Sequence, residues 1–292
     1  MESSNYSYVD QFIHRLYLGN SFVSKTSFEI EQTIYRKQID GVQLKEIVFV
    51  TGLARAGTTA LFNAIYATGN FASLTYGHMP FLLMPNLWQK MAKKKIATEY
   101  VERAHQDGIK INSESPEEFD EYFWKTILNN HYIKKDHLAI NQPDQQHLAD
   151  FERYLKAVCL SANKPHYLSK NNNNVLRLTA LAEKFPTAKI IVLYRNPLDH
   201  AKSLLKQHQH FCRLQEQEPF AQEYFNYLGH YEFGLNHKPF QFRDQQKHLH
   251  DLNDLNYWLQ NWYQYYAYII TKQHNTLPCR IQGLGPKKLV CS

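Results

Sequence analysis

Residues 45–69, KEIVFVTGLARAGTTALFNAIYATG, constrain the fold more than any other stretch. Ile47–Val50 is an uninterrupted apolar run, the pattern of a strand buried on both faces. A glycine-containing loop follows, and then a helix from about 58 that Gly69 is placed to cap. A strand that passes directly into a helix N-terminus builds an anion site. Backbone N–H groups converge there, and the helix dipole adds about half a positive charge. The loop TGLARAGTTA carries glycines at 52 and 57 and hydroxyls at 58 and 59. In an ATP- or GTP-binding loop a lysine follows the second glycine, but here Thr58 occupies that place. Magnesium-assisted γ-phosphoryl transfer thereby loses its main charge clamp. The loop's cation is Arg55, two residues before Gly57, and a guanidinium there suits bidentate contact with a 5′-phosphate and the group attached to it.

A second strand–helix unit, AKIIVLYRNPLDHAKSLL (188–205), repeats the arrangement. Asn196 is a natural N-cap with Pro197 at the first helical position. Arg195 stands at the strand's carboxyl end, and Ser203 lies eight residues on, about two turns into the helix. Ligands of doubly wound sheets collect outside the carboxyl ends of the strands, so both segments are expected to face one crevice. Two such sites suit a nucleotide phosphorylated at its 5′ and 3′ positions. The fold expected is α/β, a P-loop NTPase-like three-layer α/β/α sandwich with a central parallel sheet and helix-rich insertions.

The rest of the chain fills in around this core. Residues 8–40 have a helical pattern, with apolar positions at Phe12, Leu16, Phe22, Phe28 and Ile34. Helices are also expected near 86–105, 147–162 and 175–185, and YWLQNWYQYYAYII (257–270) is expected to be a packed helix. SPEE (115–118) has the form of a capping box opening the helix EEFDEYFWKTIL. Its carboxylates at 117, 118, 120 and 121 are read as solvated first-turn charges rather than acid–base catalysts. Residues 219–256, rich in Tyr, His, Asn and Gln, are expected to be loops and short helices around a cleft. There is no internal repeat, and the four asparagines at 171–174 are too few to count as low complexity. The organisation expected is one domain over 1–292: an N-terminal helical segment 1–44, a nucleotide-binding core 45–210, and substrate-side helices with an atypical C-terminus at 211–292.

Composition narrows the partners. The 292-residue chain has a formal net charge of +6 and a pI near 8.9. That suits an anionic ligand without singling out nucleic acid. Cys159, Cys212, Cys279 and Cys291 are scattered and signal neither zinc nor a disulfide framework. No signal peptide is evident, and no apolar run approaches the roughly 18 residues of a membrane span. A soluble, cytoplasmic protein is expected.

GLARAGTTAL resembles the 5′-phosphosulfate loop of sulfotransferases that use 3′-phosphoadenosine 5′-phosphosulfate (PAPS) and release 3′-phosphoadenosine 5′-phosphate (PAP). YRNPLDHAKSLL is similar to their 3′-phosphate motif, and YLSKNNNN to the Lys-(Ser/Thr/Asn)-Pro segment that precedes it, with Asn in place of Pro. The resemblance covers roughly residues 45–210. It implies that Gly52, Arg55, Ala56, Gly57, Thr58, Thr59 and Ala60 hold the phosphosulfate, with Lys170 nearby, and that Arg195 and Ser203 hold the 3′-phosphate. It further implies sulfuryl transfer without a metal ion, to a small-molecule, glycan or peptide acceptor bearing a hydroxyl or amine. Members place a His, Glu or Asp base after the first helix. His78 is the candidate here, alongside the reading that it merely lines its loop, with Glu114, Glu117 and Asp120 in reserve. The histidines of HQH (208–210) and HLHD (248–251) are read as solvated rather than as metal ligands. After Asn275 the chain departs from the family pattern: the expected hydrophobic strand with a Tyr-Glu turn is not evident. Two other readings therefore stand beside the first, a catalytically impaired PAP- or PAPS-binding homologue and a degenerate P-loop kinase.

Overall fold

Ile47–Val50 lies in β1 (Glu46–Thr51), the central strand of a five-stranded sheet. This computed structural model describes residues 8–92, 101–102, 110–243, 246, 249–275 and 282–284. Three helices precede β1: α1 (Tyr8–Tyr17), α2 (Ser21–Ile34) and α3 (Arg36–Gly41). After it come α4 (Thr58–Tyr66), β2 (Phe71–Ala72), α5 (Pro85–Met91), a short antiparallel pair β3 (Val101–Glu102) and β4 (Lys110–Ile111), and α6 (Asp120–Ile127). The middle holds β5 (Leu138–Ala139), α7 (Gln145–Ala162), β6 (His166–Lys170), α8 (Leu178–Lys184) and β7 (Lys189–Leu193). The remainder is α9 (Pro197–Gln217), α10 (Pro219–Leu228), β8 (Phe240–Gln241), α11 (Leu255–Asn275) and β9 (Gln282–Leu284).

The sheet runs β2-β6-β1-β7-β9, and every neighbouring pair is parallel. Side chains alternate across β1. Val48 and Val50 pack with Leu61 and Phe62 of α4 on one face. Ile47 and Phe49 join the larger core on the other, where Phe49 meets the rings of Phe151, Tyr167 and Phe185. The expected α/β architecture is present, with helices on both faces.

Register decides which side chains reach the loop after β1. Val50 stands opposite Lys170, and Thr51 opposite Val192. Lys170 and the chain leaving β7 toward Arg195 therefore emerge on either side of the turn. Gly52 has φ of 147°, and a Cβ there would come within 2.6 Å of the Leu193 carbonyl. Only glycine lets the two strand ends run this close.

Two tyrosines of α11 fasten the same region from beneath. Tyr266 Oη donates to the Leu193 carbonyl at 2.7 Å and accepts the Leu53 N–H at 3.3 Å. Tyr265 Oη donates to the Asn172 carbonyl at 3.0 Å. Substituting Tyr266→Phe removes both buried bonds at the loop base. A loss of about 1–3 kcal/mol is expected, read from urea unfolding, and an unchanged midpoint would contradict this account of the staple.

Several local expectations are corrected. The helical pattern of 8–40 is divided into α1, α2 and α3, with Asn20 capping α2 by accepting the N–H groups of Phe22 and Val23. Phe28 is buried, but Phe12, Leu16, Phe22 and Ile34 are exposed. The helix expected near 86–105 ends, as α5, at Met91, and residues 93–100 and 103–109 lie outside those described. No capping box forms at 115–118. Ser115 Oγ instead accepts the Asn112 N–H, Pro116 bridges to Thr75, and α6 begins at Asp120. Glu118 turns inward because the Asn172 N–H at 2.6 Å and the Lys170 ammonium at 3.3 Å hold it there. In the C-terminal segment, β9 pairs with β7, so a further strand is present where none was expected.

Of the carboxylates read as solvated, Glu118, Asp120 and Glu121 are buried, and Glu117 is nearly so. Asp120 accepts from Tyr167 Oη at 2.7 Å, and burial raises its pKa to about 6 despite that bond. Glu121 forms a two-pronged pair with Arg177 at 2.7 and 3.0 Å and accepts from Asn171 Nδ2 at 2.8 Å and from Tyr132 Oη. The Arg177 guanidinium also lies over the rings of Trp124 and Tyr132. All four asparagines of 171–174 are buried. The first three tie α6, α11, Glu118 and the turn at Gly229 to the end of β6.

Candidate active site

The loop after β1 turns through two left-handed residues, Arg55 (φ 69°) and Gly57 (φ 97°). Gly57 is the N-cap of α4 and has no side chain to satisfy the first-turn N–H groups. Those groups, at residues 58–60, are the ones a helix cannot bond internally, which leaves them for an anion. The loop is held in shape by α9 and the residues leading into it. His200 Nε2 donates to the Ala54 carbonyl at 2.8 Å, and Arg195 Nη1 donates to the Arg55 carbonyl at 3.1 Å. Burial lowers the His200 pKa to about 4, so its ring is neutral near pH 7 and acts as an N–H donor. Arg55 in turn donates through Nε to Ser203 Oγ at 3.4 Å.

These groups form one wall of a cavity of about 460 Å³. The expected residues Arg55, Ala56, Gly57, Thr58, Thr59, Ala60, Lys170 and Arg195 all line it. Ser203 reaches the site through Arg55, and Gly52 lies under it and sets the turn. The facing wall is apolar, with Phe119, Phe211, Phe225, Leu228 and Phe233.

Between the walls lies a charged cluster. Lys170 Nζ is 2.9 Å from Glu117, 3.3 Å from Glu118 and 3.2 Å from Thr59 Oγ1. His230 Nδ1 is 3.6 Å from Glu232, which also accepts from Asn172 Nδ2 at 3.3 Å. Burial raises Glu118 to about 7, against the pull of Lys170. His230 is also desolvated, but Glu232 and Glu118 outweigh that and raise it to about 9. Burial opposes the Glu232 charge too, yet His230 keeps its pKa below the usual carboxylate range. Two cations thus offset three carboxylates next to a site shaped for an anion. Glu118, His230 and Glu232 also bring one ligand atom each within 4.8 Å of one another, a group that could hold a metal ion.

His78 is not brought to this cavity. Its ring is buried, Nδ1 accepts the Thr75 N–H at 3.0 Å to close a turn, and burial lowers its pKa to about 4. It lines a separate, more polar groove of about 550 Å³ that shares Thr59 and Glu117 with the cavity. Of the reserve residues, Glu117 lines the cavity, Glu114 lines only the groove, and Asp120 serves the core. His208 is buried against Trp258 and His237 rather than solvated, and accepts the Gly234 N–H at 3.2 Å. His250 is exposed, and His248 lies outside the described residues.

Sequence reasoning missed Glu118, His230, Glu232, His200 and the α11 tyrosines. One signal was available. GHYEFG (229–234) places a His, a Tyr and a Glu in four residues between glycines, which marks a turn able to present charge.

Three comparisons bear on kinship. A profile described as the sulfotransferase family matches residues 47–238. Among solved structures, a sulfotransferase from Mycobacterium tuberculosis superposes with a TM-score of 0.48 at 17% identity, covering 77% of this chain and 69% of that one. A sulfotransferase from Mycobacterium avium gives a TM-score of 0.45 at 14% identity, covering 74% and 65%. No curated protein matches.

Proposed function

This chain belongs to the sulfotransferase family, and on that premise we propose that it moves the sulfuryl group of PAPS onto a hydroxyl of an acceptor. One observation carries the reading: Arg195 and Arg55, from two different strand ends, line one cavity and are joined by a 3.1 Å hydrogen bond. The residues present fit the donor. An uncapped helix N-terminus, two threonines and two cations face the space a phosphosulfate would need, and Arg195 with Ser203 lies one strand away for a 3′-phosphate.

When bound, the donor supplies an electrophilic sulfur and PAP as leaving group. The N–H groups of residues 58–60 and the Thr58 and Thr59 hydroxyls fix the phosphosulfate oxygens. Arg55 and Lys170 stabilise charge as it builds on the bridging oxygen, which is where preorganised donors do most for rate. Glu118 receives the acceptor proton. The acceptor oxygen bonds to sulfur, the sulfur–bridging-oxygen bond breaks, and its electron pair leaves with PAP. Glu118 suits this step because its pKa of about 7 makes it a stronger base than an ordinary carboxylate while leaving about half of it ionised at neutral pH. The free thiols of Cys159 and Cys212 suit a reducing, cytoplasmic setting.

A base must be deprotonated to act. Turnover is therefore expected to fall about tenfold per pH unit below 7 and to level off above it. Glu118→Gln is expected to lower the plateau about a hundredfold and to abolish that limb, while His78→Gln leaves the profile in place. A profile flat from pH 5 to 8 in the unsubstituted protein would rule out Glu118 as the base. The donor assignment has its own test. PAP should raise the melting temperature clearly more than ATP with magnesium, and label from the sulfuryl group of PAPS should appear in an acceptor. Equal stabilisation by ATP with magnesium, or none by PAP, would overturn it.

A further inference from the structure

The cavity also carries information about the acceptor, provided that sulfuryl transfer is its chemistry. We propose that the acceptor is a hydroxyl on a ring-sized apolar body, such as an aryl or fused-ring alcohol, and not a sugar.

The wall facing the anion loop comes from three places: Phe211 near the end of α9, Phe225 and Leu228 on α10, and Phe233 in the turn beyond it. Phe119 extends it toward α6. These rings brace one another. Phe211 meets Phe225 edge-on at 5.0 Å and lies parallel to Phe233 at 6.0 Å. Phe119, Phe211, Leu228 and Phe233 are each at most 7% exposed, so the wall is already formed and cannot turn polar groups inward by rotating a side chain. The Tyr224 hydroxyl is buried and not presented to the cavity.

A sugar can stack on an aromatic face, but its hydroxyls still need partners around the ring edge. Away from the anion loop, the polar groups among the described lining residues are those of the cluster between the two walls and Tyr76, which donates to Glu117 at 3.4 Å, and they already pair with one another. That pattern suits a ligand with one polar atom and an apolar remainder. The one atom would sit beside Glu118, at the boundary where sulfur and base must both be reached. The donor's phosphosulfate takes part of the 460 Å³, which leaves space for about one or two rings.

The polar groove beyond α4 supplies the competing occupant. Asn63, Ser73, Thr75, Gln89 and Asn112 line it, and it meets the cavity at Thr59 and Glu117. A polyol reaching sulfur from that side would make the groove, not the aromatic wall, the acceptor site.

The test uses the intact protein with PAPS, following PAP release with 2-naphthol and with maltose as acceptors. Binding of PAP, read by thermal shift, is recorded separately. The expected result is turnover of 2-naphthol at least a hundredfold faster than maltose. Phe233→Ser is expected to raise the KM for 2-naphthol at least tenfold with the PAP shift preserved. If that variant fails to fold, calorimetric titration of 2-naphthol and of maltose into the PAP complex gives the same comparison. Faster or equal turnover of maltose overturns the acceptor assignment, and so does turnover of neither while PAP still binds. Absence of a PAP shift is a different failure, that of the donor reading itself.

Discussion

Arg55→Asn is expected to cut sulfuryl transfer by about a thousandfold, the scale seen when one preorganised donor to a developing oxyanion is removed. Asparagine is the informative replacement because Arg55 sits at φ of 69°. Asn tolerates the left-handed region, whereas Ala would add backbone strain unrelated to charge. The backbone carbonyl of residue 55, which accepts from Arg195, is kept. The loop should therefore hold its shape, and the melting temperature should move by only a few degrees. PAP affinity should change less than turnover, because the guanidinium is assigned to charge that builds during transfer. Initial rates with PAPS, together with a PAP titration, separate the two effects. Transfer within tenfold of the parent protein, with PAP bound normally, would remove Arg55 from the catalytic role.

Arg177→Met is expected to destabilise the fold by about 3–5 kcal/mol, the scale for removing one partner of a buried ion pair. The cause is the charge left behind. Glu121 is fully buried, and without Arg177 its remaining hydrogen-bond partners are neutral donors from Asn171 and Tyr132, with Lys125 the nearby cation on the same helix. The double variant Arg177→Met, Glu121→Gln removes both charges and should recover part of the loss. Neither residue lines the cavity. Turnover per folded molecule should thus be largely kept at low temperature, and the effect should appear in the urea midpoint. A single-variant loss below about 1 kcal/mol would mean that Lys125 and the surrounding dipoles, not Arg177, neutralise Glu121.

What could be read from the chain alone, and what could not, divides along physical lines. The run Ile47–Val50 and the glycines of TGLARAGTTA identify a buried strand and a tight loop because both signals are local. Arg55 and Arg195 follow from position at strand ends. The charged residues of 117–121 mislead for the opposite reason. Glu118 and Glu121 resemble first-turn charges in any local window, and only the approach of Lys170 and Arg177, more than fifty residues away, draws them inside. The same holds for Asn171–Asn173, whose partners lie on α6, on α11 and near Gly229. His78 suggests itself by its proximity in sequence to the first helix, but a bond to Thr75 three residues earlier claims its ring. Tyr265 and Tyr266 read correctly as part of a packed helix, yet nothing nearby indicates that their hydroxyls bond the loop and the turn after β6.

His200 has one more consequence. Buried between the Ala54 carbonyl and two arginines, it stays uncharged until the medium is as acidic as its pKa of about 4. The scaffold that shapes the anion loop is thus insensitive to mild acidification, while Glu118 in the charged cluster of the cavity responds near neutrality. Between those limits, acid would leave a protein still fitted to grip its nucleotide but unable to turn it over. Any pH dependence of PAP affinity across that interval would then originate in the nucleotide's own phosphates or in Glu118, whose protonation changes the charge beside Lys170.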